Sequence, residues 1–436
     1  MKKIIVFVLT LSFLFVPCWA HAQDETQIQS SPPVITDGAA ILLDMNHGNI
    51  LFQKNAHKRL YPASTTKILT AIIALERGNL SDKVTATSSP VTQVGRDTSI
   101  IWLNEGEVLT LEQLLYGLML PSGNDAAVAI AEHISGSIDE FVKLMNDKAR
   151  EIGALNSHFV NPHGLHNDNH YTTAYDMAII ARYAMENLPK FREIVGTDFY
   201  SLPPTNKQKE ERKWYNSNKM LHKTSKHYYE YATGIKTGYT SQAGNALVSS
   251  ANKDGFELLA VILNDRQHTV YENTKALFDY GFNNFVEVKL IDSGQDIAEV
   301  KVENAAIEEQ DIPLVLVSSD EYIDVFAKDE IPLISKEITI DEEITAPITK
   351  GQTLGKISYS IKGRELASID LVAGRDVAQK TISNLIKPKK ELPLWLKVLF
   401  ILLLLFLLIR IIGLVIRRKR RRRRFYSSGY YRHHRK

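Results

Sequence analysis

Apolar positions along the chain change their period several times, and each change marks a different kind of element. Residues 39–44 and 49–53 flank Asn46-His47-Gly48, so the pattern predicts a β-hairpin with a glycine turn. From Ser64 to Arg77 the residues Ile68, Leu69, Ile72, Ile73 and Leu75 follow helical spacing, and Gly78 supplies a stop. Thr110 and Gln113 form a capping-box pair ahead of Leu114, Leu115, Leu118 and Met119. Residues 125–134 and 138–152 read as two further helices, 234–240, 246–251 and 258–263 as strands, and 269–280 as a closing helix. Strands, a helix cluster, more strands and a helix make an α+β pattern over residues 36–284.

Beyond 285 the texture shifts. Short alternating runs at 286–291, 298–302, 314–317 and 356–361 are separated by Gly, Asp and Asn, which predicts a small all-β domain over 285–383. It carries no catalytic constellation. A linker at 384–393, with Lys387-Pro388-Lys389-Lys390, leads into the almost wholly apolar stretch 394–416. As a helix that stretch spans about 34 Å, enough for a bilayer core of about 30 Å. Lys397 and Arg410 lie near its ends, where long side chains snorkel. At the other end, residues 1–22 combine Lys2 and Lys3, an apolar run and small residues at Ala20 and Ala22, the layout of a cleaved signal peptide. A polar leader, residues 23–35 with Pro32-Pro33, follows.

Charge sharpens this picture. The 436 residues hold 52 Lys or Arg and 50 Asp or Glu, 23% charged against 44% hydrophobic, as in globular chains long enough for two domains. Two lysines open the chain, and residues 410–436 hold twelve more basic residues. Without those fourteen, 38 basic residues face 50 acidic ones, so the body carries about −12, which argues against nucleic acid as a partner. By the positive-inside rule the basic tail, 417–436, stays cytoplasmic and residues 23–393 lie outside, giving a single-pass protein of the cell membrane. The arginines then act as a topology lock and a contact for anionic lipid. Cys18 is the only cysteine and leaves with the signal peptide, which excludes disulfides and thiol catalysis from the mature chain.

Three short motifs suggest chemistry: Ser64-Thr65-Thr66-Lys67, Ser122-Gly123-Asn124 and Lys236-Thr237-Gly238, separated by 58 and 114 residues. Each is weak alone, since Ser250-Ala251-Asn252-Lys253 satisfies the first two patterns at what reads as a strand end. Their order, spacing and placement together are the recorded signature of β-lactamases and penicillin-binding proteins. Ser64 opens a helix, where free N–H groups and the dipole favour negative charge. Lys67, three residues on, shares its face. A lysine that is partly buried beside a second cation, here Lys236, loses basicity and can take the serine proton. Ser122, in a loop after Pro121, is placed to relay a proton to the leaving amine, and Asn124 to hold Lys67 and the substrate amide. The Lys236 segment reads as an edge strand on which a peptide pairs, with Gly238 clearing the approach. Lys236 and Thr237 would meet the substrate carboxylate, and the N–H groups of Ser64 and Tyr239 would form the oxyanion hole. This chemistry calls for no metal and no organic cofactor.

The stretches Tyr61-Pro62-Ala63-Ser64-Thr65-Thr66-Lys67, Pro121-Ser122-Gly123-Asn124-Asp125-Ala126 and Gly234-Ile235-Lys236-Thr237-Gly238 resemble the low-molecular-mass penicillin-binding proteins of the D-alanyl-D-alanine carboxypeptidase branch. Phe159-Val160-Asn161-Pro162-His163-Gly164-Leu165 and Thr172-Thr173-Ala174-Tyr175-Asp176-Met177 match that branch too. The resemblance covers 36–383. It implies a β-lactamase/transpeptidase-like domain followed by a β domain toward the membrane. The implied reaction removes the terminal D-alanine from peptidoglycan stem pentapeptides, with β-lactam antibiotics as covalent inhibitors. Arg266 and residues 216–218 lie near stretches that face the cleft in relatives, without assigned roles. One departure is the anchor, an amphipathic helix in well-known members and an apolar span here.

Three rival readings exist. A class A β-lactamase adds a glutamate in E-x-x-L-N, which Glu151-Ile152-Gly153-Ala154-Leu155-Asn156 misses by one residue. His158, His163, His166 and His170 invite a zinc reading, but no H-E-x-x-H helix accompanies them, and a surface loop around Gly164 is the simpler expectation. A non-catalytic wall-binding protein on the same fold is the third, opposed by three intact motifs.

Overall fold

The computed structural model describes residues 31–380 and 393–426. The expected signal peptide, most of the leader, most of the linker and the last ten residues of the tail lie outside these. The chain divides into two compact units, the first made chiefly of residues up to Leu290.

The first unit is built on five strands. β1 (Ala39–Asp44) and β2 (Ile50–Lys54) form the predicted antiparallel hairpin. β3 (Ala232–Thr240), β4 (Gly244–Lys253) and β5 (Phe256–Asp265) complete the sheet in the order β2-β1-β5-β4-β3. β1 is buried at all six positions, as a strand covered on both faces must be. Parity sorts the side chains. Ile41, Leu43, Val248, Leu259 and Val261 join one core, whereas Ala40, Leu42, Leu247, Leu258 and Ala260 join the other.

The larger core lies under a helix cluster: α1 (Lys67–Arg77), α2 (Leu111–Met119), α3 (Asn124–Ser135), α4 (Ile138–Ile152), α5 (Ala174–Asn187) and α6 (Pro189–Gly196). The capping box at Thr110 and Gln113 forms in both directions, at 3.1 and 2.8 Å. Helix α7 (Val270–Asn284) covers the other face through Leu277, Phe278 and Phe282. The result is a helix–sheet–helix sandwich with β3 at its open edge.

The second unit carries a five-stranded sheet, Asp296–Val300, Leu314–Ser318, Arg364–Ala373, Thr353–Ile361 and Ile334–Ile340 in spatial order. Helix α8 (Leu394–Tyr426) follows; within Leu394–Lys419 an 18-residue stretch has a mean hydropathy of 3.2 and none of it is buried, so the helix is long and apolar enough to cross a membrane.

Candidate active site

Ser64 sits in a 3-10 turn, Ala63–Thr66, that runs directly into α1 at Lys67. Lys67 is fully buried, and its Nζ lies 2.8 Å from Ser64 Oγ. Its other neighbours are Asn124 Oδ1 and the His163 carbonyl oxygen, each at 2.7 Å. Burial holds the Lys67 pKa well below the ordinary lysine value; the Lys236 charge lowers it further and Asp125 opposes. A neutral amine has two N–H bonds and one lone pair. In that form it can give both hydrogens to the two carbonyl oxygens and keep the lone pair for the serine hydroxyl. That is the arrangement a general base requires.

Ser122 occupies the turn between α2 and α3 with φ of +68°. Its Oγ is buried and has no hydrogen-bond partner among the described residues. An unpaired buried hydroxyl costs roughly 1–3 kcal/mol, and a left-handed backbone about as much again. Both costs fall on one residue beside Ser64, as they do where chemistry requires a side chain held ready. Asp125 braces the neighbourhood: its buried carboxylate accepts from the Ile101 N–H at 2.9 Å and the Leu103 N–H at 3.1 Å.

Lys236 and Thr237 lie on β3, opposite Val248 and Leu247 of β4. Burial pushes the Lys236 pKa down to about 7. Its Nζ is 3.2 Å from the Thr237 carbonyl oxygen and 3.4 Å from Ser217 Oγ. Thr237 Oγ1 donates to Ser217 Oγ at 2.7 Å. Gly238 is where β3 meets the nucleophile, because a Cβ there would stand 3.1 Å from both Ser64 N and Pro62 O. Gly164 plays the same part from the other side: its φ is +86°, and a Cβ would collide with the Ala63 carbonyl at 1.8 Å.

A cleft of about 270 Å³ is lined by Ser64, Ser122, Thr237, Gly238 and Tyr239, joined by Ser99 and Ser217. Lys67 and Lys236, both buried, connect to it through Ser64 and Ser217. All eight residues singled out in the sequence therefore belong to one neighbourhood. Ser217 was only bracketed within residues 216–218; Ser99 and the His163 carbonyl were missed. Asn216 and Asn218 were signals of a fixed turn, since their side chains bond Val195 O at 3.0 Å and Gly234 O at 2.7 Å.

The histidine loop differs from expectation. His158 and His166 are exposed, but His163 and His170 are buried. His170 Nδ1 accepts from the Val160 N–H at 3.2 Å. Its Nε2 must then carry the hydrogen, and it lies 2.8 Å from Thr66 Oγ1. Burial keeps both rings neutral, with pKa values lowered to about 3. They serve the catalytic turn by packing against it. Glu151 is exposed on α4 and pairs with Lys148 at 2.8 Å, so it is not a deacylating base beside Ser64.

Comparison with known proteins agrees with this geometry. The family model described as D-alanyl-D-alanine carboxypeptidase matches residues 26–267, and one described as penicillin-binding protein 5, C-terminal domain, matches residues 285–379. D-alanyl-D-alanine carboxypeptidase DacF of Bacillus subtilis is 35% identical over 362 residues, covering 80% of this chain and 88% of the relative. DacA of Haemophilus influenzae is 32% identical over 378 residues, 85% of this chain and 93% of the relative. The crystal structure of penicillin binding protein 5 from Haemophilus influenzae superposes with a TM-score of 0.64 at 32% identity, covering 80% of this chain and 100% of that one. With fold, motif order and identity in agreement over four-fifths of its length, the chain belongs to the D-alanyl-D-alanine carboxypeptidase family, penicillin-binding serine peptidases that work through an acyl-enzyme.

Proposed function

We propose that Ser64 is the nucleophile that removes the terminal D-alanine from peptidoglycan stem pentapeptides. Lys67, neutral, takes the Ser64 proton as Oγ attacks the carbonyl of the penultimate D-alanine. The N–H groups of Ser64 and Tyr239 hold the oxyanion. The terminal D-alanine departs with a proton delivered through Ser122, and water then releases the acyl group. Asn124 positions Lys67 and the substrate amide. Lys236 and Thr237 receive the terminal carboxylate, with Gly238 clearing the edge of β3. The observation that carries this reading is the 2.8 Å separation of Lys67 Nζ from Ser64 Oγ, with Asn124 Oδ1 and the His163 carbonyl oxygen each 2.7 Å from the same nitrogen.

A β-lactam presents a carboxylate and a strained amide to the same groups and would acylate Ser64. The catalytic domain is assigned to 36–284 and the β domain to 285–383. The 394–416 span anchors the chain, with the arginine-rich tail cytoplasmic and the catalytic domain outside, since the basic residues crowd one flank. The test is release of D-alanine from a pentapeptide ending in D-Ala-D-Ala by the full chain in detergent. Wild type should release it and Ser64→Ala should not; equal release by both removes Ser64 from the mechanism.

A further inference from the structure

A second cleft, of about 300 Å³, opens at the C-terminal end of β3, lined by Arg59, Tyr61, Asp168, Tyr171, Gln242 and Asn264 among others. The mechanism above leaves it unused. We infer that it receives the side chain of the stem residue preceding the D-alanyl pair, and that it selects one ending in both an ammonium and a carboxylate. The inference rests on the carboxypeptidase reading and extends it to substrate choice.

Register along β3 sets the direction. With the terminal carboxylate at Lys236 and Thr237 and the scissile carbonyl at the Ser64 and Tyr239 amides, the rest of the peptide runs past Thr240. Gln242 lies three residues beyond Tyr239, in the turn that joins β3 to β4. The peptide backbone continues toward that turn, and a long side chain on the preceding residue extends its reach. A short side chain would stop before the cleft.

The lining has groups of both signs with unused capacity. The Arg59 guanidinium stands 4.8 Å from the Tyr171 ring centroid, which orients its plane. No carboxylate pairs with it among the described residues, so its fork is open to a carboxylate in the bidentate manner that arginine favours. Asp168, largely exposed, meets only the Tyr61 hydroxyl and His166 Nε2, each at 3.3 Å. Asn264 Oδ1 is buried with no donor, a cost that an incoming N–H would remove. Arg266, by contrast, is committed: its guanidinium donates to the Ser241 and Gln242 carbonyls at 3.3 and 2.7 Å and braces the rim. An open guanidinium, an exposed carboxylate and an orphan carbonyl in one lining match a head group of both charges. A lysine side chain would leave Arg59 unanswered, and an alanine would leave all three.

The test uses the full chain in detergent and three pentapeptides, identical except for meso-diaminopimelate, L-lysine or L-alanine at the third position. Released D-alanine gives kcat/KM, and the rate of Ser64 acylation by a fluorescent penicillin reports the catalytic centre independently. Wild type should prefer the diaminopimelate peptide over the lysine peptide by about tenfold, the size of one charge-assisted contact. Arg59→Ala should bring the two within about twofold while leaving the alanine peptide and penicillin acylation unchanged; Arg59→Lys, which keeps charge without the fork, should fall between. Equal rates for the diaminopimelate and lysine peptides in wild type, or a preference that survives Arg59→Ala, overturn the inference and leave the carboxypeptidase intact. No release from any peptide removes the carboxypeptidase reading and this inference with it.

Discussion

The catalytic cleft lies between two buried lysines whose surroundings are opposite in kind. Lys67 has three oxygens within 2.8 Å. Lys236 has only its neighbour's carbonyl at 3.2 Å and a hydroxyl at 3.4 Å. Both lose basicity to burial, but Lys67 also feels the charge of Lys236. Full coordination suits an amine that must stay neutral and aim one lone pair. Sparse coordination suits an ammonium awaiting an anion, because a buried charge without a partner gains most when a carboxylate arrives. In the proposed mechanism, identical side chains at the two ends of one cleft take up base and receptor roles through their neighbours.

The largest effects should come from the Lys67 end. Ser64→Ala should cut D-alanine release by about 10⁴-fold or more and abolish penicillin labelling. Lys67→Ala should slow acylation about 10²–10⁴-fold, the usual worth of a general base. Lys67→Arg should do no better, since a guanidinium does not deprotonate. Recovery of activity in the arginine variant would end the neutral-amine argument. Lys236→Ala should act differently, raising KM roughly 10–100-fold with a smaller change in kcat. If kcat falls and KM holds, the receptor role is wrong.

A pH series separates the lysines further. The Lys236 ammonium is present below about pH 7 and lost above it in the free enzyme, so KM should climb as pH rises through that value. Stability should rise over the same interval. The unfolded lysine keeps its proton to about pH 10.4, so between about 7 and that value the unfolded chain binds more protons and stability rises with pH. The melting temperature and KM measured across this interval should therefore rise together as far as Lys236 governs them. A KM that stays flat there places its proton elsewhere.

Much of this architecture was legible beforehand. The β1–β2 hairpin, α1 to α4 and the three strands β3 to β5 have apolar periods strong enough to fix their type. Helix α5 was not picked out, for a physical reason: its less buried face carries Tyr175, Ile179 and Tyr183 while Asp176 is buried, so the sequence shows little amphipathic contrast. The strands Tyr322–Ala327, Ile334–Ile340 and Arg364–Ala373 were missed as well. In the site, residues within a motif were legible because chemistry restricts them. His163 was misread as a surface residue because its loop seats on the Ser64 turn, where Gly164 meets the Ala63 carbonyl and the His163 carbonyl meets Lys67, 96 residues away in sequence. Supporting backbone groups leave no composition signal at all.

Ser217 is the finest test of the receptor end. It accepts from Thr237 Oγ1 and lies beside Lys236 Nζ, and its own hydrogen has no protein acceptor among the described residues. Its backbone is pinned by the Leu120 carbonyl at 3.0 Å and by the Tyr271 hydroxyl at 3.2 Å. A hydroxyl fixed in place with a hydrogen to spare can give the incoming carboxylate a third donor after Lys236 and Thr237. Ser217→Ala should raise KM for a D-Ala-D-Ala peptide about fivefold, near the worth of one such bond. It should leave unchanged the slower turnover of a peptide whose terminal carboxylate is amidated. Ser217→Thr, which restores the hydroxyl, should recover the difference. Were the alanine variant to slow both substrates equally, Ser217 would be holding β3 in place, and the carboxylate would be left to Lys236 and Thr237.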